Sequence, residues 1–210
     1  MNKHLGCESC GLLGCDRNST YPDFCITKNL DKDVIEKVKN TYNEDENINK
    51  IMKVASEVES GGYLKLTRVE ETVEFIKKMD YKLVGIATCI SFISEVRTFC
   101  KILEHNNILY KVACCKVGAI DKSEVGIPDE NRIFQSGHES MCNPILQAEF
   151  LHSEGTDFNI VFGLCVGHDT LFYMHSKAPV TTMIVKDRVT CHNPIAPLHY
   201  TKGIYSKLLK

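Results

Sequence analysis

The sequence predicts an α/β fold: a four-stranded parallel sheet of Rossmann-like or flavodoxin-like type, preceded by helices and an N-terminal Cys-rich metal-binding module. Three observations carry this. Residues 82–89, 109–115, 158–164 and 180–185 are short, mainly apolar runs, which read as buried strands. Helical patterns lie between them, and strands alternating with helices imply parallel pairing through right-handed crossovers. The first thirty residues hold Cys7, Cys10, Cys15 and Cys25 with three glycines and little apolar periodicity.

Taken in order, residues 1–30 read as a stapled mini-module and residues 31–210 as the α/β domain, with 31–80 as its helical lead-in. Residues 31–42 suit a short helix. Residues 47–59 place Ile48, Ile51, Met52, Ala55 and Val58 on one helical face, and Gly61-Gly62 ends it. Thr67 caps the next helix, with Glu70 three positions on as its capping-box partner. That helix buries Val69, Val73, Ile76 and Met79. After the first strand, residues 91–104 form a helix with Phe92, Val96, Phe99 and Leu103 inward. Residues 116–142 show no period and carry Gly118, Gly126, Pro128 and Gly137, a connection long enough to be functional. Residues 143–154 form a helix with Pro144 in its first turn, where proline is tolerated. Residues 169–175 form a short helix, and the tail, 201–210, a short amphipathic one.

The chain has 210 residues, enough for one domain with a small appendage, and a formal net charge of −2. Near-neutrality argues against a nucleic-acid or membrane-surface binder. No apolar run is long enough to span a bilayer. No N-terminal segment has the charged start and apolar run of an export signal, so the expected compartment is the cytoplasm. Eleven cysteines are then the anomaly, since thiols in a reducing compartment are more often metal ligands or catalytic groups than disulfides.

The cysteines fall into two constellations. Cys7-x2-Cys10-x4-Cys15-x9-Cys25 crowds four thiols into one Gly-containing stretch, which can wrap a zinc ion or an iron–sulfur cluster. The second set is assembled by the fold. Cys89 ends the first strand, Cys114 and Cys115 the second, and Cys165 the third, while Cys142 precedes the Asn143-Pro144 helix start. In a parallel sheet these ends share one edge. Side chains alternate along a strand, so only one of Cys114 and Cys115 points to that edge. We expect Cys89, Cys115, Cys142 and Cys165 to form a second metal or redox-active site, with His168 and His138 nearby. Buried free cysteine is common, so packing is the competing reading for any one of them. Lys186-Asp187-Arg188 follows the fourth strand on the same edge, suited equally to anion binding or to surface pairs.

A different reading comes from Gly163-Leu164-Cys165-Val166-Gly167-His168. This segment resembles the nucleophile elbow of class I glutamine amidotransferases, whose Gly-x-Cys-x-Gly-His joins a strand to a helix. The resemblance implies an exposed Cys165 nucleophile on a strained turn, an oxyanion hole from backbone N–H groups, and a base, His192 or His168. Those enzymes carry His-Pro-Glu at the base, whereas this chain has His192-Asn193-Pro194 with no acid following.

Over nearly its full length the chain also resembles a bacterial and archaeal family known only as a domain of unknown function, whose members are described as metal-binding. The resemblance is carried by the Cys7/Cys10/Cys15/Cys25 module, Lys50-Ile51-Met52-Lys53-Val54-Ala55 and Thr67-Arg68-Val69-Glu70-Glu71. Cys114-Cys115-Lys116-Val117-Gly118, Met141-Cys142-Asn143-Pro144-Ile145 and Gly163 to Asp169 continue it. Ala178 to Thr182, Val185 to Val189 and His192-Asn193-Pro194 complete it; Cys191 is unusual for its place. It implies metal binding and no particular reaction. The expected function is thus a zinc or iron–sulfur protein with a second, redox-active or small-molecule-binding site at the sheet edge. Its partner would be a small molecule or a redox protein. The alternative is a cysteine-nucleophile enzyme using Cys165.

Overall fold

The expected parallel sheet is present. The structure, a computed structural model, describes residues 5–134 and 137–210, so the first four residues of the Cys-rich stretch lie outside the described residues. The chain divides into two compact units, Met1–Glu57 and Val58–Lys210, and the boundary falls inside a helix of the lead-in. No helix of the described residues is long and apolar enough to cross a membrane.

In the first unit, 3-10 turns occupy Cys7–Ser9 and Gly14–Asp16, and a one-turn helix α1 spans Ile26–Asn29. Helix α2, Lys32–Glu44, starts where Asp31 accepts the Asp33 N–H, satisfying a donor the first turn leaves open. Helix α3 runs Glu46–Gly62 across the boundary. Val58 is buried and Ile48 and Ile51 half-buried as expected, whereas Met52 and Ala55 are exposed and Val54 is buried in their place.

The second unit holds the sheet. Helix α4, Arg68–Met79, opens on the expected Thr67/Glu70 capping box and buries Val73, Ile76 and Met79. Strand β1, Leu83–Thr88, is followed by α5, Ile93–His105, then β2, Leu109–Cys114. Helix α6, Pro144–Ser153, precedes β3, Phe158–Phe162; α7, His168–His175, precedes β4, Val180–Ile184. The order is β2-β1-β3-β4, all parallel. β1 therefore leads outward to β2 on one side and β3 to β4 on the other. The loops after β1 and β3 diverge, leaving the crevice where ligands collect in open α/β sheets. One face of the sheet carries α6 and α7, which pack on each other. Helices α4 and α5 flank a groove of about 450 Å³ on the Phe162 and Met183 side.

Three local features set this edge. In the β3–β4 ladder Val161 pairs with Thr182 but Phe162 with Ile184, so Met183 is an extra residue that bends β4 just before Lys186. Gln147 of α6, fully buried, donates to Thr88 O (3.1 Å) at the end of β1 and to Ala113 O (2.7 Å), one residue before the end of β2. Gly163 turns the chain out of β3 at φ +70°, and a Cβ there would lie 2.1 Å from the Phe92 ring.

The described residues of the segment 116–142, which leave out Gln135 and Ser136, are not an open loop. Asp121 bridges Ser140, and two buried ion pairs close the segment: Arg132 with Asp121 (3.0 Å) and Lys122 with Glu139 (2.6 Å). The tail differs from expectation as well. A short helix α8 forms at Ala196–His199, and beyond it turns end in a 3-10 segment, Ser206–Leu209, in place of an amphipathic helix. Ile204, Leu208 and Leu209 are exposed, so no buried face stabilises a longer helix.

Gly163→Ala should combine a left-handed backbone penalty with overpacking against Phe92, destabilising the protein by about 2–5 kcal/mol. Urea unfolding measures it; a change within about 0.5 kcal/mol would mean that the Phe92 contact does not constrain this turn.

Candidate functional site

Cys89 follows β1, with its N–H on Phe162 O (3.4 Å) and its side chain buried. Cys115 follows β2 and is buried more completely; its N–H donates to Thr88 O (2.7 Å), and its carbonyl accepts the Asn143 N–H (2.8 Å). That second bond seats Cys142, half-buried, beside it, with the two sulfurs 3.9 Å apart. Asn143 caps α6 by accepting the Leu146 N–H, as the Asn-Pro start implied. The Ile90 N–H points at Cys115 Sγ (3.4 Å). Of the Cys114-Cys115 pair, Cys115 is the member in the cluster.

The three sulfurs do not share charge equally. The S–H of Cys115 faces both neighbours, and their negative charge, together with burial, pushes the Cys115 thiol far up. The same contact, with Lys186 Nζ at 2.6 Å and Ser91 Oγ at 3.3 Å, holds Cys89 well below the ordinary thiol range. Cys142 is held down to about 4, first by Cys115 and then by the His168 imidazole. His168 is correspondingly raised by Cys142, against the opposing effect of burial, and Cys165 adds to the rise. Cys115 is thus the sulfur whose surroundings favour the thiol, while the contacts of Cys89 with Lys186 and of Cys142 with His168 favour the thiolate.

Cys165 is half-buried in the turn from β3 to α7, and its sulfur accepts from Arg188 Nη2 (3.3 Å). Its backbone is not in the left-handed region; Gly163 and Gly167 take the positive φ values of this turn. The Cys165 carbonyl already accepts both the His168 and Asp169 N–H groups, each at 3.0 Å. The strained elbow implied by the amidotransferase resemblance is therefore absent at Cys165, and two of the N–H groups at the helix start are in use. His192 is engaged elsewhere. Cys191 and His192 both have positive φ, which folds the ring back so that Nδ1 accepts the Asp187 N–H (3.1 Å) and the ring packs on Phe92, centroids 4.5 Å apart. A neutral ring so bonded carries its proton on Nε2, which makes it a donor and not a base. The imidazole facing Cys165 is His168. His138 contacts Ser140 and Asp121 instead of the cluster.

Thiols and an imidazole are suitable soft ligands, but among the described residues no three His, Cys, Asp or Glu side chains gather as ligands of one ion. At the sheet edge Cys89, Cys115, Cys142, His168 and Cys165 are brought together as a chain of pairs, and Lys186 occupies Cys89. In the first unit Cys7 and Cys15 are exposed and Cys10 and Cys25 half-buried. Cys100 is buried in α5, as a core residue. Sequence reasoning gave no role to Gln147, whose only signal is a polar residue on the inward side of a helix. It left the sulfur partners of Lys186 and Arg188 undetermined.

A lowered pKa keeps Cys142 a thiolate as pH falls, until about pH 4. Its alkylation by iodoacetamide should therefore stay nearly flat from about pH 8 to about pH 5, whereas an ordinary thiol loses about tenfold per unit over that range. His168→Gln should move the fall-off upward. Peptide-resolved mass spectrometry reads both, and an ordinary thiol profile in the wild type would refute the charge assignment.

No solved structure matches the chain. An uncharacterized protein of Methanocaldococcus jannaschii, MJ0455, is 46% identical over 188 residues, covering 89% of this chain and 94% of that protein. Residues 25–183 match the family described as protein of unknown function, DUF1847. That span includes Cys89, Cys115, Cys142, Cys165 and His168; Cys7, Cys10, Cys15 and His192 fall outside it. On the match over most of its length and on the identity to this archaeal relative, the chain belongs to the DUF1847 family.

Proposed function

We propose that the sheet-edge cluster is a redox-active dithiol that exchanges with disulfides, with Cys142 as attacking sulfur and Cys115 as resolving sulfur. The observation that carries this is the Cys115–Cys142 pair: 3.9 Å apart, one half-exposed and held as thiolate, the other buried and protonated. A low-pKa, accessible cysteine beside a resolving one is the arrangement of redox-active thiols. The sulfurs need to close to about 2.05 Å to bond.

The exchange balances as follows. The Cys142 thiolate attacks one sulfur of a disulfide RSSR, forming Cys142–S–SR and releasing RS⁻, which takes a proton from solvent. With the Cys142 charge removed by the mixed disulfide, Cys115 gives its proton to solvent and attacks Cys142. The Cys115–Cys142 disulfide forms, and a second RS⁻ leaves. Two electrons pass from the protein to RSSR. Lys186 steadies Cys89, and His168 orients Cys142. Because these contacts favour the thiolate form, the protein disulfide is expected at the oxidising end of the scale.

Incubation with glutathione disulfide should remove two thiols per chain from the sheet-edge set and link the Cys115 and Cys142 peptides. Cys115→Ser should stall with one glutathione on Cys142, and Cys142→Ser should form no such adduct. Wild-type protein that forms no Cys115–Cys142 link would end this reading.

The spacing of Cys7, Cys10, Cys15 and Cys25 supports a separate metal site in the first unit, for zinc or an iron–sulfur cluster. One observation favours it: Cys10 N–H donates to Cys7 O (3.1 Å), closing the Cys-x2-Cys segment into a tight turn. Zinc there would staple the segment, and a cluster would carry electrons. Protein purified without oxygen should hold metal that is lost in Cys7→Ser and Cys10→Ser. Metal analysis showing equal content in both variants and the wild type would remove the site.

A further inference from the structure

We propose that the thiol site takes anionic disulfides, whose carboxylates are received by Arg188 and the loop that follows β4; this rests on the dithiol reading above. Two thiolates at one sheet edge would by themselves repel an anionic substrate, so the cations around them decide the matter. Lys186 is committed to Cys89, at 2.6 Å, and lies over the Phe92 ring, 5.6 Å from its centroid. Arg188 is not committed in that way. It is exposed, and one of its five N–H donors meets Cys165 Sγ. The remaining fork is free in geometry to meet a carboxylate with two parallel bonds, which a lysine cannot do.

The carboxylate nearest Arg188 in sequence does not compete for it. Asp187 accepts the N–H groups of Val189 (2.9 Å) and Thr190 (3.1 Å), so it is satisfied inside its own turn. The same turn presents His192, whose bonded Nδ1 leaves Nε2–H as a further donor. Arg188 holds its proton more tightly first through its contact with the Cys165 sulfur and then through the nearby Cys89 and Cys142. The β4 bulge at Met183 aims this segment at the edge where the sulfurs lie. One strand end thus supplies donors to a site whose sulfurs come from the other three strand ends and the start of α6.

The test follows Cys115–Cys142 bond formation with three disulfides: glutathione disulfide (anionic), 2-hydroxyethyl disulfide (neutral) and cystamine (cationic). Arg188→Gln should lower the ratio of the glutathione disulfide rate to the cystamine rate roughly tenfold at low salt, the scale of electrostatic steering. Arg188→Lys should recover only part of it, and added salt should compress the wild-type ratio. An unchanged ratio in Arg188→Gln, or equal slowing with all three disulfides, overturns the anion site while leaving the dithiol intact. If none of the three links Cys115 to Cys142 in the wild type, the dithiol reading fails and this proposal falls with it.

Discussion

The parallel pairing of β1 with β3, Thr88 opposite Phe162, is the constraint on which the site depends. Parallel strands send every carboxyl end to one edge, and this pairing is where the chain changes direction across the sheet. The loop carrying Cys89 and the loop carrying Cys165 therefore leave from adjacent strands and separate. Gln147 fixes the same edge from the side, since its amide holds Thr88 O at the end of β1 and Ala113 O, one residue before the end of β2. Thr88 O also accepts the Cys115 N–H, so one carbonyl ties the end of β1 both to α6 and to the residue after β2.

Charge then organises the sulfurs. A buried thiolate is unfavourable unless a cation or donor meets it. Here Lys186 meets Cys89, and His168 meets Cys142, both reaching in from the rim. Cys115 lies between them with no cation of its own and retains its proton. The asymmetry is a consequence of position: the middle sulfur is the most buried, and its two neighbours are the ones the outer cations can reach. The result is a site with a built-in difference between attacking and resolving thiol.

The turn after β3 shows how a short motif can mislead. Gly-x-Cys-x-Gly-His fits a nucleophile elbow as a string of letters. In three dimensions the two glycines absorb the left-handed conformations, and Cys165 sits in ordinary backbone with its carbonyl capping α7. His192, placed by order as the base, is folded back onto Phe92. The imidazole that faces the sulfurs comes from the same turn, three residues past Cys165.

The sequence by itself determined the sheet, its parallel sense and the helices on it, because period-two and helical patterns are local properties of the chain. It also brought Cys89, Cys115, Cys142 and Cys165 to one edge, since a parallel topology turns strand-end positions into neighbours. The Thr67/Glu70 capping box and the Asn143-Pro144 start were legible for the same local reason. The exposure of Met52 and Ala55 on α3, the turns of the tail and the ion pairs that close the described part of residues 116–142 were not, because packing and contacts between residues apart in sequence decide them. Only the tertiary structure decided which sulfur keeps the proton, that Lys186 and Arg188 turn to sulfur, and that His192 does not face Cys165. Those outcomes depend on distances of a few ångströms between residues up to about a hundred positions apart, and electrostatic preference at that range is set by burial and geometry, not by spacing along the chain.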